Sequence, residues 1–338
     1  WILYMIGTNR QMFNYADNPP GIGGADIPSW YFADRFKKPS ILYFNKRNLD
    51  ALTTDYYNWN HRLLPMIMVF AGRVDLNSVT PPTQKVWAGE GVTPVVLVHT
   101  DWTWSDTDKY LGIKGGKARS SHAHMDAGSF VYDAYGVRWS MDLGRQDYAT
   151  LEVALKALGG NLWTYTQASL RWEVSRLNNF FHSTLTVNDS KHRVEGFATL
   201  EQTINTATEQ GGTFDLSPVL EDQVASAMRT VKIVSDKDLK VIDAIRTRTD
   251  RSAKIRWTMV TPAAPAVEND RIVLTSNGKT MYLTAAEEGG TQIVYKTFST
   301  DPVHSYDDPN PGIYLVGFEA TVPADKWATF TTTLSPGN

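Results

Sequence analysis

The sequence contains no cysteine. Disulfides and thiolate metal sites are thereby excluded, so any metal held by this chain must sit on His, Asp or Glu. No apolar run reaches the ~18 residues that a membrane-spanning helix requires. Charge of one sign is missing too: 33 Lys and Arg against 36 Asp and Glu leave a net charge of −3. Without a basic stripe, nucleic acid and anionic membrane surfaces fall away as partners. A local cationic cleft for an acidic ligand is not excluded, because net charge says nothing about distribution. The chain opens on Trp1-Ile2-Leu3-Tyr4-Met5-Ile6, with no basic stretch or cleavage site of a signal peptide. This start reads as the inside of an element, as though a segment had preceded it.

What is present is a globular composition, 42% hydrophobic and 20% charged over 338 residues. That length holds one large domain or two ordinary ones. Eleven Trp and 15 Tyr supply flat, amphipathic rings. Such rings pack β cores, and they also stack on sugar faces.

Residues 1–80 read as a helical segment. Tyr56, Trp59, Leu63, Ile67 and Phe70 recur at near-helical spacing, with Pro65 expected to bend or break the helix. The run GIGG at 21–24 is a loop and not a phosphate cradle, because no strand precedes it and no Lys-Ser/Thr follows. After Pro81-Pro82 the texture changes. Short β-branched or aromatic runs at 95–98, 130–132, 185–187, 231–234, 240–242, 271–274 and 313–316 alternate with Gly, Asn, Asp and Pro turns. Hairpin turns are expected at Tyr135-Gly136 and Asn277-Gly278. The expected fold class is mainly β, with antiparallel multi-stranded β-sandwich layers over 81–338 and a subdivision near 225–235. The stretch LEVALKAL, 151–158, is expected to be a short helix ended by Gly159-Gly160.

The chemistry concentrates in SSHAHMDAGSF, residues 120–130. If this run is extended, a period of two places His122, His124 and Asp126 on one face and leaves Ala123, Met125 and Ala127 for burial. The hairpin at 135–136 then brings Asp142 back toward it, and His182 opens a further strand. A mixed His/Asp set drawn from three segments suits Zn²⁺. The same pattern equally fits two hydrogen-bonded histidines on a half-buried strand, and spacing alone does not separate the two. His99 reads as a satisfied strand-end histidine and His61 as structural on the helix, with His192 and His304 solvated in polar loops. Arg119, Arg138 and Arg145 have the fork to hold a carboxylate or sulfate, although Arg138 fits a surface ion pair as well. Trp102 and Trp104 suit a sugar platform or the edge of a core. Tyr15, Tyr132, Tyr135 and Tyr148 lie near in sequence, and no motif singles one out.

Taken together, His122-Ala123-His124-Met125-Asp126-Ala127-Gly128-Ser129-Phe130, then Gly136-Val137-Arg138-Trp139, Asp142-Leu143-Gly144 and His182-Ser183-Thr184, resemble the signature of the heparinase II/III family of polysaccharide lyases. Phe13-Asn14-Tyr15-Ala16-Asp17 and VWAGEGVTPVVLVH extend the resemblance over about residues 1–190. It implies an N-terminal (α/α) toroid followed by β-sandwich layers, with residues 1–80 as the end of that toroid. It implies β-elimination of uronic acid glycans such as heparin or heparan sulfate, with His122 as the catalytic histidine. His124, Asp142 and His182 would ligate a structural zinc, and Asp126 would orient the histidines from behind. Ser183 stands where the family commonly has Asn. Arg119, Tyr15, Arg145 and Trp102 are the substrate contacts this reading suggests. The implied partners are an acidic polysaccharide, the toroid domain and a second copy in a homodimer, in a periplasmic or secreted setting. Two other classes stay open: a non-catalytic glycan-binding module, and a zinc-dependent hydrolase acting through a metal-bound water.

Overall fold

The computed structural model describes residues 1–21, 26–50 and 64–337. Among these residues the chain is mostly β, with 17 strands in three antiparallel sheets and four short helices. The helices are α1 (Ile27–Arg35), α2 (Tyr43–Asp50), α3 (Leu64–Ala71) and α4 (Tyr148–Ala157). Ile67 and Phe70 fall on α3 and join a small cluster with Trp30, Ala33 and Leu42. Tyr56, Trp59, His61, Leu63 and most of the GIGG run lie outside the described residues.

The first sheet is a meander: β1 (Val86–Gly89), β2 (Val95–His99), β3 (Tyr110–Lys114), β4 (Phe130–Ala134) and β5 (Val137–Ser140). Its central strands are buried along their whole length, which is why VVLV reads as an unbroken apolar run. One face, with Val96, Val98, Leu111, Ile113 and Phe130, enters the main core. The other face, with Val95, Leu97, Tyr110 and Val131, is covered by Leu3, Tyr4, Met5, Ile6 and Phe13. Residues 1–15 are thus a lid on this sheet. Gly112 makes the lid fit, since a Cβ there would lie 2.6 Å from the Phe13 ring. Gly112→Ala is expected to destabilise the chain by ~1–3 kcal/mol in denaturant titration, the usual cost of overpacking.

An eight-stranded sheet runs β12 (Ala264–Val267), β13 (Ile272–Ser276), β14 (Lys279–Glu287), β17 (Trp327–Pro336), β10 (Asp238–Arg246), β9 (Ser226–Val234), β8 (Glu209–Asp215), β7 (Thr199–Asn205), and a four-stranded one runs β15 (Val294–Phe298), β16 (Tyr314–Val322), β11 (Ala253–Thr261), β6 (Leu185–Val187). β9 (Ser226–Val234) and β10 (Asp238–Arg246) alternate buried and half-exposed residues, the period-two pattern of a sheet with one face on the core. Most of the 225–235 stretch, where a subdivision is expected, lies in β9, which is bonded to β8 on one side and β10 on the other. The core cluster draws residues from all three sheets, including Phe130, Val231, Trp257 and Phe330. Both hairpin turns form as expected, with positive φ at Tyr135 and Gly136 (56° and 73°) and at Asn277 and Gly278 (50° and 70°).

Candidate functional site

The HAHMD run is not a strand. Residues 120–129 form turns and irregular backbone between β3 and β4, with φ of +62° at His122 and +79° at Gly128. The face that a strand would present is therefore split: the His122 side chain is 55% exposed, whereas His124 and Asp126 are buried. Met125 turns the other way, into a cluster with Leu151 and Leu155 of α4 and Trp172.

His124 meets Asp142 and His182 in a buried group whose potential ligand atoms all lie within 4.8 Å of one another. Asp142 follows β5, and His182 follows a short 3-10 turn before β6 (Leu185–Val187). His182 Nδ1 is 2.7 Å from Asp142 Oδ2, and the two imidazoles stand 5.5 Å apart. Each ring keeps one buried nitrogen without a hydrogen-bond partner, Nδ1 of His124 and Nε2 of His182. Orphaned nitrogens beside a carboxylate fit a divalent metal such as Zn²⁺. Burial lowers the His124 pKa, a fall that the Asp17 hydrogen bond only partly offsets. Burial also works against a charge on His182, but the Asp142 carboxylate outweighs it and raises that pKa.

Asp17 is the residue that joins the two histidines. Its Oδ1 is 2.9 Å from His124 Nε2 and its Oδ2 is 2.7 Å from His122 Nδ1. The Tyr148 hydroxyl, on the first residue of α4, donates to the same Oδ2 and lies 3.2 Å from His122 Nδ1. The loop that carries Asp17 is pinned on two sides: Asn14 donates to the Asp142 carbonyl (2.7 Å), and the Ala16 N–H donates to Asp126 (3.0 Å). Asp126 hydrogen-bonds neither histidine. Its other partner is the Lys114 ammonium, and the carboxylate that meets both histidines is that of Asp17. Burial opposes the charge on Asp126, yet Lys114 and the two buried histidines hold its carboxyl below the usual range.

Helix α4 sets Tyr148 in place. Asp147 caps it by accepting from the Thr150 N–H (2.8 Å), and it ends at Gly159 with φ of +78°. The turn that follows brings Tyr165, whose hydroxyl accepts from the His122 N–H at 3.2 Å, and Trp163, edge-on to both His122 and Tyr148.

His122 lines a cleft of about 580 Å³ with Tyr15, Asp17, Lys114, Ser121 and Arg145. Tyr15 and Arg145 thus stand where a ligand would reach them. Arg119 lies beyond the cleft, ion-paired with Glu195. Trp102 is no sugar platform: it is 1% exposed, its ring stacks on His99 at 3.9 Å, and its indole donates to the Gln84 carbonyl. Arg138 is neither surface pair nor ligand contact, since it is buried against Asp133 and the carbonyls of Gln11 and Met12. His192 is not solvated. It is buried with Nε2 2.8 Å from the Leu185 carbonyl, and burial pushes its pKa down to about 4. His99 is satisfied as expected, between Asp108 and the Ile6 carbonyl.

A family profile described as "Heparinase II/III-like, C-terminal" matches residues 95–324. No curated protein matches in sequence. A mutant of heparan sulfate lyase HepC from Pedobacter heparinus superposes with a TM-score of 0.65 at 13% identity, over 99% of this chain and 45% of that one. A heparinase III with methylated lysines gives 0.63 at 13%, over 99% and 44%. Another heparinase III gives 0.56 at 12%, over 83% and 42%. At such identities the likeness is one of fold, and the chain spans less than half the length of each.

Proposed function

Because the chain belongs to the heparinase II/III-like family, we propose that it supplies the β half of a lyase site that cuts uronate glycans by β-elimination. The observation that carries this reading is the Asp17 carboxylate held between an exposed histidine in a cleft and a buried histidine behind it. Asp17 accepts from Nδ1–H of His122, which leaves Nε2 as the basic nitrogen. His122 then takes the C5 proton of a bound uronate. Arg145, exposed on the same cleft, offsets the negative charge of the substrate carboxylate. Tyr148 fixes the other flank of the Asp17 oxygen. The toroid that the resemblance implies would form the opposite wall, with the group that protonates the leaving O4.

His124, Asp142 and His182 would hold the zinc, which would supply a structural cross-link between the loops they come from. Their burial favours this over the hydrolase reading, in which a metal-bound water must meet the substrate. The test is direct. Incubation with heparan sulfate is expected to yield unsaturated uronate, seen as new ultraviolet absorbance, and the His122→Ala variant of the full-length protein is expected to be silent. A chelator is expected to lower the melting temperature before it touches the initial rate. Full activity in His122→Ala would end the assignment, and metal-free protein of unchanged stability would remove the zinc site.

A further inference from the structure

The cleft does not end at His122. Ser120 and Ser121, which form part of its wall, also border a second depression of about 350 Å³ lined by Arg119, Trp163, Tyr165 and Thr166. We infer that this depression is a second sugar subsite, which receives the glycan beyond the disaccharide unit bound at His122. The inference rests on the lyase reading for the nature of the polymer and on separate residues for the site.

Trp163 is 39% exposed on an otherwise polar rim, and its position is set from three directions. Its indole N–H donates to Glu152 at 2.5 Å, and its ring meets Tyr148 and His122 edge-on at 4.9 and 5.6 Å. An exposed aromatic held this firmly is preorganised to stack on a sugar face, because little side-chain freedom remains to be lost on binding. Tyr165 is fixed in turn by the buried Arg171 guanidinium, 4.7 Å from its ring centre. Charge on the rim points the same way. Lys117 and Arg119 flank the Glu195 carboxylate, while Glu152 is engaged by the Trp163 indole. Arg145 stands in the first depression and Arg119 in the second. A cation in each of two adjoining pockets suits a polymer that repeats its negative charge along the chain.

The experiment compares a heparan sulfate disaccharide, long enough for one depression, with a hexasaccharide that reaches both. Calorimetric titration in the His122→Gln background prevents turnover. Trp163→Ala is expected to weaken hexasaccharide binding by about tenfold, the scale of one aromatic contact, while disaccharide binding stays within about twofold. Trp163→Phe should restore most of the loss, and Arg119→Ala should flatten the salt dependence for the hexasaccharide alone. Equal hexasaccharide affinity in parent and Trp163→Ala overturns the subsite and leaves the lyase reading untouched. If the parent binds neither oligosaccharide, the glycan reading fails and the subsite fails with it. Trp163-dependent binding in a protein that forms no unsaturated product keeps the subsite and removes only the lyase chemistry.

Discussion

Asp17→Asn is expected to cut turnover by about 10³- to 10⁴-fold, the scale seen when an orienting carboxylate behind a catalytic histidine becomes an amide. Asp17 accepts from His122 Nδ1 and the Tyr148 hydroxyl on one oxygen and faces His124 on the other. An amide offers one acceptor and one donor, so it cannot serve all three. With the NH2 turned toward His122, the imidazole carries its proton on Nε2 and loses the lone pair on the cleft side. The loss should appear in kcat with KM little changed, because the variant removes proton chemistry and leaves the binding surface intact. Bound metal must be measured alongside, since Asp17 also touches His124. An Asn variant with normal metal content and a rate within about threefold of the parent would take Asp17 out of the mechanism.

The second large effect is expected far from the cleft. Arg229 on β9 and Asp243 on β10 lie directly opposite each other on the inner face of the eight-stranded sheet, both fully buried. The guanidinium grips both carboxylate oxygens at 2.7 and 3.0 Å. Its remaining nitrogen donates to the Gly128 carbonyl at 3.1 Å and the Ser183 carbonyl at 3.2 Å. Gly128 ends the HAHMD loop and Ser183 follows His182, so one side chain ties both histidine loops to the sheet. Arg229→Met is expected to lower stability by ~3–5 kcal/mol, because it strands a buried carboxylate. Adding Asp243→Leu should recover only part of this, since the two carbonyls stay unpaired at ~1–3 kcal/mol each. Full recovery in the double variant would show that the clamp on the loops contributes nothing. The readout is denaturant unfolding of both variants beside the parent.

The strands were legible because buried meanders and hairpin turns leave short-range marks, such as VVLV and Tyr135-Gly136. The meeting of His124, Asp142 and His182 was legible because these residues sit in distinctive local runs. The alternation of polar and small residues in the HAHMD loop imitates a strand, and nothing local announces a left-handed His122. Met125 still buries as a strand residue would, since α4 packs over it. Trp102 and His192 were misplaced for a related reason: an aromatic or a histidine in a polar stretch takes its environment from distant chain. Asp17 was missed although its FNYAD run lay in plain sight, because its role depends on His122, 105 residues away. Carboxylates that work by reaching across the fold carry no local spacing to read.

One consequence follows for where this protein can be cut. The match to the family profile begins at residue 95, and a fragment trimmed to that edge would retain His124, Asp142 and His182. It would nevertheless lack Asp17 and the cover that Leu3 to Phe13 lay over Val95, Leu97, Tyr110 and Val131. Such a fragment would meet water with a bare apolar sheet face and present His122 without its carboxylate. The working unit therefore reaches back beyond the matched block, and residues 3–17 belong to the site as much as to the core.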